Sequence, residues 1–163
     1  MKELFFSDNF FSAGKTDIYN GQKEIVGELD LQSALSSSLQ VLDAEGRKMV
    51  GGKFTFFGNK WIISNEESEE LGYLKMNLSF FTKKYQYITN HRGNYSIESE
   101  MFSKQYDIYD EVKNIIATFH KVSGFFSTPA FQLLNHSHSL SSFELIGIVM
   151  GINAIQKANN GSG

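Results

Sequence analysis

Residues Phe143 to Ile155, FELIGIVMGINAI, constrain this chain more than any other segment. The flanks carry helix signals. Ser141 and Glu144 have the spacing of a capping box, Lys157 suits a last turn, and Asn159, Asn160 and Gly161 stop the run. At about 100° per residue, with Glu144 at zero, Gln156 falls near 120°, Asn153 near 180° and Lys157 near 220°. Between them Leu145, Ile146, Ile148, Val149, Met150 and Ile152 cover every direction. A helix that is apolar all round must be enclosed.

What precedes it reads as strands and turns. Lys53 to Phe57 and Lys60 to Ser64 form a pair around Gly58-Asn59. Lys84 to Thr89 and Asn94 to Ser99 flank Asn90-His91-Arg92-Gly93, and Gln105 to Tyr109 precedes Asn114 to His120. The chain also repeats at a spacing near 45 residues. Leu39 to Asn77 and Tyr85 to Val122 share a Gly-containing turn at Gly46 or Gly93. Both then carry an aromatic strand, an acidic turn, and a closing strand at Gly72-Tyr73-Leu74 or Ala117-Thr118-Phe119. A partial copy lies at Ile18-Tyr19-Asn20 and Ile25 to Leu29, and Phe131 to Leu134 resembles a fourth beginning.

Four-stranded units of this period suit a propeller or a barrel of repeated meanders. Two complete units are too few for a propeller, and the enclosed helix favours the barrel. The expectation is one domain over residues 1–158: a roughly twelve-stranded closed antiparallel β-barrel around a central helix at about 142–158, with 159–163 as a flexible tail. The helix residues expected inside are Phe143, Leu145, Ile146, Gly147, Ile148, Val149, Met150, Gly151, Ile152, Asn153 and Ile155. Gly147 and Gly151 should bring the helix close to one wall. Buried Asn153 needs a hydrogen-bonding partner.

The net charge of −3 disfavours nucleic acid, which calls for a basic patch. The absence of cysteine excludes disulfides and thiolate metal sites, and is compatible with the expected cytoplasmic location. The N-terminal run is broken by Glu3, Asp8 and Asn9, unlike a signal peptide, and the 13-residue apolar run is too short for a transmembrane span.

The doubled strand pattern over Leu39 to Val122 and the closing Phe143 to Ile155 resemble the tubby C-terminal-like group, in particular its small bacterial members and the LURP-one-related proteins. The resemblance covers almost the whole chain and implies a twelve-stranded barrel closed around a hydrophobic C-terminal helix. Tubby domains bind phosphoinositide head groups through a basic pocket, and related scramblases act at membranes. Here Lys83-Lys84 is a pair and not a patch, Arg47-Lys48 faces Asp43 and Glu45, and a scramblase-type lipid attachment would need cysteine.

Other chemistry finds little footing. His136-Ser137-His138 would share one face as a strand, but has no third ligand and sits among loop residues. His91 lies in a turn and His120 at a strand end. Glu66-Glu67-Ser68-Glu69-Glu70 reads as a solvated turn. Serines 33, 36, 37 and 38 lack a nucleophile elbow, and Gly51-Gly52-Lys53 lacks phosphate-loop spacing and reads as a hairpin or bulge. Trp61, Tyr85, Tyr87 and Phe80-Phe81 read as barrel wall. The expected function is that of a non-enzymatic intracellular domain, without cofactor or metal, that binds a membrane lipid or a protein partner. The alternative is a structural or self-association module with no small ligand; an enzyme ranks third.

Overall fold

The repeat is expressed as a closed meander. A computed structural model describes residues 2–12, 14–32, 38–57, 60–78, 83–99 and 103–161. Its strands are β1 (Glu3–Ser7), β2 (Lys15–Tyr19), β3 (Ile25–Asp30), β4 (Ser38–Asp43), β5 (Lys48–Phe54) and β6 (Trp61–Ser64). They continue as β7 (Glu70–Leu78), β8 (Lys83–Ile88), β9 (Asn94–Ser99), β10 (Tyr106–Tyr109), β11 (Ile115–Val122) and β12 (Ala130–Asn135). Each pairs antiparallel with the next, and β1 closes the ring on β12 with Phe5 opposite Gln132. The helix α1 (Ser142–Gly161) fills the lumen.

One end of the barrel is built from a repeated turn. Asn20, Asp43, Asn65 and Asp110 each accept backbone N–H bonds from the residues two and four positions on. The residue three positions on is left-handed in every copy: Lys23 (φ 64°), Gly46 (79°), Ser68 (67°) and Lys113 (68°). The register shifts just before each turn, at Ile18/Tyr19, Val41/Leu42, Ile63/Ser64 and Ile108/Tyr109. Each shift adds one residue to the following strand, which bends the sheet toward closure. Ile18, Ile63 and Ile108 stand at 45-residue intervals, as do their partners Gly27, Gly72 and Ala117.

A lumen bounded by twelve strands is wider than wall side chains alone can fill. Helix α1 takes up the space off-centre, against β4 to β7. Gly147 faces Val50 and Ile63, and Gly151 faces Trp61 and Leu74. The Trp61 indole lies between two glycines: a Cβ on wall residue Gly52 would stand 2.6 Å from the ring, and one on Gly151 2.4 Å. Gly51 and Gly52 are thus mid-strand residues paired with Ser64 and Ile63, not the expected hairpin or bulge. Gly52 is small because Trp61 needs its place. The far side of the lumen is filled by rings instead: Phe6, Phe10, Tyr106 and Phe119 are fully buried, and Phe119 stacks on Phe131 at 5.1 Å.

Leu145, Ile146, Ile148, Val149 and Ile152 are inaccessible to solvent, and Met150 and Asn153 nearly so. Phe143 and Ile155 pack partly buried at the helix ends. The helix starts at the expected Ser142 but continues past Ala158 to Gly161. Asn159 donates to the sulfur of Met76 at 3.6 Å, which ties the final turn to the wall. Lys157 therefore lies one turn inside the helix end and donates to the Phe11 carbonyl at 3.2 Å.

The capping box forms only by half. Ser141 Oγ accepts the Glu144 N–H at 3.1 Å, but the Glu144 carboxylate turns into the barrel. There, 3% exposed, it meets Arg92 in two bonds of 2.7 and 2.9 Å and accepts the Tyr87 hydroxyl at 2.5 Å. Arg92 also donates to the carbonyls of Leu71 and Ser139. Burial, with the Glu144 charge, drives the Tyr87 hydroxyl far above its ordinary pKa, and the bonded carboxylate raises that of Arg92. A turn that reads as solvent-facing in sequence thus latches the helix entrance to β7 and β8.

Two sets of variants test this packing. Gly151→Ala should destabilise by about 2–3 kcal/mol and alter Trp61 emission, since the indole cannot move away without meeting Gly52; unchanged urea unfolding would remove the close approach. Arg92→Leu should cost about 3 kcal/mol or more by stranding a buried carboxylate, and Glu144→Gln distinctly less. Equal costs for the two would show that no uncompensated charge is left behind.

Candidate functional site

The two barrel ends differ in charge and finish. The turn end carries Glu45, Glu66, Glu67, Glu69 and Glu111, all exposed. Each belongs to one of the short repeated turns, so the acidic run at 66–70 is the solvated turn expected from its sequence. The opposite, loop end collects lysines that are scattered in sequence. Lys53, Lys60, Lys75 and Lys84 are exposed on the outer wall of β5 to β8, and Lys60 lies over the Tyr73 ring at 4.5 Å. Only Lys84 among these four makes an ion pair within the described residues, to Glu98 at 3.6 Å. Strand alternation brings them onto one face: Gly52, Leu74 and Tyr85 point inward, so their neighbours Lys53, Lys75 and Lys84 point out.

Among the described residues, the connections at this end deal with their aromatic pairs in three ways. Phe10-Phe11, between β1 and β2, turns inward onto Phe119 and Phe131. Phe125-Phe126, between β11 and β12, folds back over the outer wall, where Phe125 stacks on Phe5 at 3.8 Å and Phe126 meets Tyr19. Phe56-Phe57, between β5 and β6, does neither. The rings touch each other edge to face and are 97% and 88% exposed. Sequence alternation predicted a strand through Phe57, but β5 ends at Phe54, and the Thr55 amide bonds the Lys60 carbonyl to close the hairpin. Two adjacent exposed Phe side chains at a hairpin tip have no role in the core. The available signal was their position beside Gly58-Asn59, which lies outside the described residues.

The remaining sequence candidates are spread apart. His91, His136 and His138 are exposed, and among the described residues no group of three or more His, Asp or Glu side chains is placed to hold a metal. His120 pairs with Asp107 at 2.7 Å on the outer wall, in an open groove with Glu98 and Gln105. A second groove of about 350 Å³ lies over Gly51, lined by Ser38, Gln40, Lys53, Ser64 and Glu70. Neither brings a nucleophile, base and oxyanion donors together. Trp61, Tyr85 and Tyr87 are core residues as expected. Serines 33, 36 and 37 and Phe80-Phe81 lie outside the described residues. Among the described residues no helix is long and apolar enough to cross a membrane.

The architecture has solved counterparts. The X-ray structure of a protein from Arabidopsis thaliana matches with a TM-score of 0.66 at 10% identity, over 95% of this chain and 91% of that one. No curated protein sequence matches the chain. The model of the LURP-one-related family matches residues 2–135, which run from just before β1 through the last residue of β12 and stop short of the helix. With every strand of its barrel inside that match, the chain belongs to the LURP-one-related family.

Proposed function

We propose that this protein is a binding module that docks its loop end on an anionic membrane surface, with Phe56 and Phe57 entering the head-group layer. The observation that carries the reading is the exposure of those two rings, 97% and 88%, at a hairpin tip flanked by lysines. Lys53 and Lys60 stand on either side of the tip, and Lys75 and Lys84 extend the positive face along the wall. Aromatic insertion supplies apolar burial, while each nearby lysine adds about 1 kcal/mol of attraction to an anionic leaflet. The acidic turns at the other end are repelled by the same surface, so the charge distribution sets one orientation.

A second reading has the same tip as its basis. An exposed apolar pair also suits a protein partner or a second copy of the chain. Flotation with vesicles separates the readings. The protein should float with vesicles containing about one third phosphatidylserine, and its partition should fall steeply between low and high salt. Phe56→Ala/Phe57→Ala should lower the partition at least tenfold, about 1.4 kcal/mol or more, without changing thermal stability. Equal flotation of the variant, or none by the parent protein, would exclude the membrane reading. A dimer that the same variant disperses would favour self-association.

A further inference from the structure

The four repeated turns share a backbone but not a chemistry. Each Asx side chain also bonds the side chain four positions on, and the two partners always match. Asp43 accepts from Arg47 Nε at 2.7 Å, and Asp110 accepts from Asn114 Nδ2 at 3.1 Å. Where the residue is Asn the direction reverses. Asn20 Nδ2 donates to Glu24 Oε2 at 2.7 Å, and Asn65 Nδ2 donates to Glu69 Oε2 at 2.9 Å. A carboxylate at the head of the turn faces a donor, and an amide nitrogen there faces a carboxylate.

One copy differs at the next position. Asp43, Asn65 and Asp110 are followed by Ala44, Glu66 and Glu111, but Asn20 is followed by Gly21. Gly21 is exposed, and a Cβ there would crowd the Glu3 carboxylate at 3.2 Å. Its backbone N–H has no partner among the described residues. Asn20 Oδ1, meanwhile, accepts the Gln22 and Glu24 N–H groups at 2.9 and 3.0 Å, which folds the side-chain amide forward over Gly21. An unscreened backbone nitrogen therefore lies beside a carbonyl carbon whose oxygen already holds two donors.

We propose that Asn20 is a site of spontaneous covalent modification, deamidating through attack by the Gly21 nitrogen on its Cγ. Gly21 gives its N–H proton to hydroxide as the N–Cγ bond forms, and the charge that develops on Oδ1 falls on the Gln22 and Glu24 donors. The Cγ–Nδ2 bond then breaks, and the nitrogen leaves as ammonia with a proton from water. Water opens the resulting succinimide to aspartate or isoaspartate at position 20. Either product sets a carboxylate against Glu24, a pairing that none of the other three turns contains, and like charges so placed repel. Isoaspartate also lengthens the main chain within the turn. The position matters because Asn20 directly follows Tyr19, and β1 and β2 pair only at Phe5–Tyr19 and Phe6–Ile18. The new charge loosens the strand end that carries this short ladder. The site lies at the turn end and does not rest on membrane docking.

The test uses the whole chain, incubated at mildly alkaline pH and then digested with trypsin. Amide loss should appear in the peptide Thr16–Lys23 many-fold sooner than at Asn65, which heads the same turn but is followed by a Cβ and a carboxylate. Gly21→Ala should slow the loss many-fold while the circular dichroism stays that of the parent. A parent chain that keeps its Asn20 amide, equal rates at Asn20 and Asn65, or an unchanged rate in Gly21→Ala would overturn the proposal. Asn20→Asp stands in for the aspartate product. It should melt below the parent and speed hydrogen exchange at the Ile18 and Tyr19 amides. Glu24→Gln added to it should restore both, by supplying the donor that Asn114 gives Asp110. Parent-like melting and exchange in Asn20→Asp would remove the charge conflict. None of these measurements contains a membrane, so their failure leaves the docking of Phe56 and Phe57 untouched.

Discussion

The close approach of helix α1 to the wall at Trp61 governs the rest of the barrel. The indole is the largest side chain on that wall, and it fits because neither neighbour carries a Cβ. With the helix drawn to β4–β7, the lumen becomes lopsided. The opposite half has to be filled by aromatic rings from β1, β10, β11 and the β1–β2 connection. The distribution of phenylalanine around the barrel is thus a consequence of where two glycines stand on one helix. Interiors at native density transmit such choices, since a displaced helix leaves a gap that only side-chain volume can close.

The two ends of the barrel reflect different demands. At the turn end the problem is closure, and the solution is one turn used four times, with its Asx cap, its left-handed residue and its adjoining bulge. The fifth turn replaces the Asx residue with Thr89, whose hydroxyl accepts the Arg92 amide and donates to the Gly93 carbonyl, and this frees Arg92 to reach the helix. At the loop end the described connections β1–β2, β5–β6 and β11–β12 are longer, and their aromatic pairs are placed differently from one another. Variation of this kind on a rigid frame is where binding properties usually reside. The lysines and the exposed aromatic pair lie there.

Much of the architecture was legible in the sequence. The apolar circumference of Phe143 to Ile155 implied an enclosure, and the doubled strand pattern supplied it. The Gly147–Gly151 spacing pointed to contact with one wall. The limits were physical. Alternation distinguishes inside from outside along a strand, but not where the strand stops, so Phe56-Phe57 read as strand. Glu144 satisfied a local capping rule that its backbone does obey, while its carboxylate answers to Arg92, 52 positions earlier in the chain. The lysines form a face only because β5 to β8 are neighbours in the closed sheet, and no linear window contains them. Gly51-Gly52 reads as a hairpin or bulge in sequence because the ring that requires a glycine belongs to the next strand.

The order in which these parts leave the ribosome is the reverse of their importance to the core. Strand β1 precedes every other strand of the barrel, yet one of its two edges has no partner until β12 is complete. The helix that occupies the lumen follows β12 and is the last described element of the chain. During synthesis, a nearly complete set of strands must therefore wait with its inner face unfilled and its seam open. Phe6, Phe10, Phe119 and Trp61 are exposed to each other and to solvent for that interval. Closure of the seam needs β12, and filling of the lumen needs the helix that follows it. Until α1 (Ser142–Gly161) is in place, the apolar lining it covers is available for aggregation.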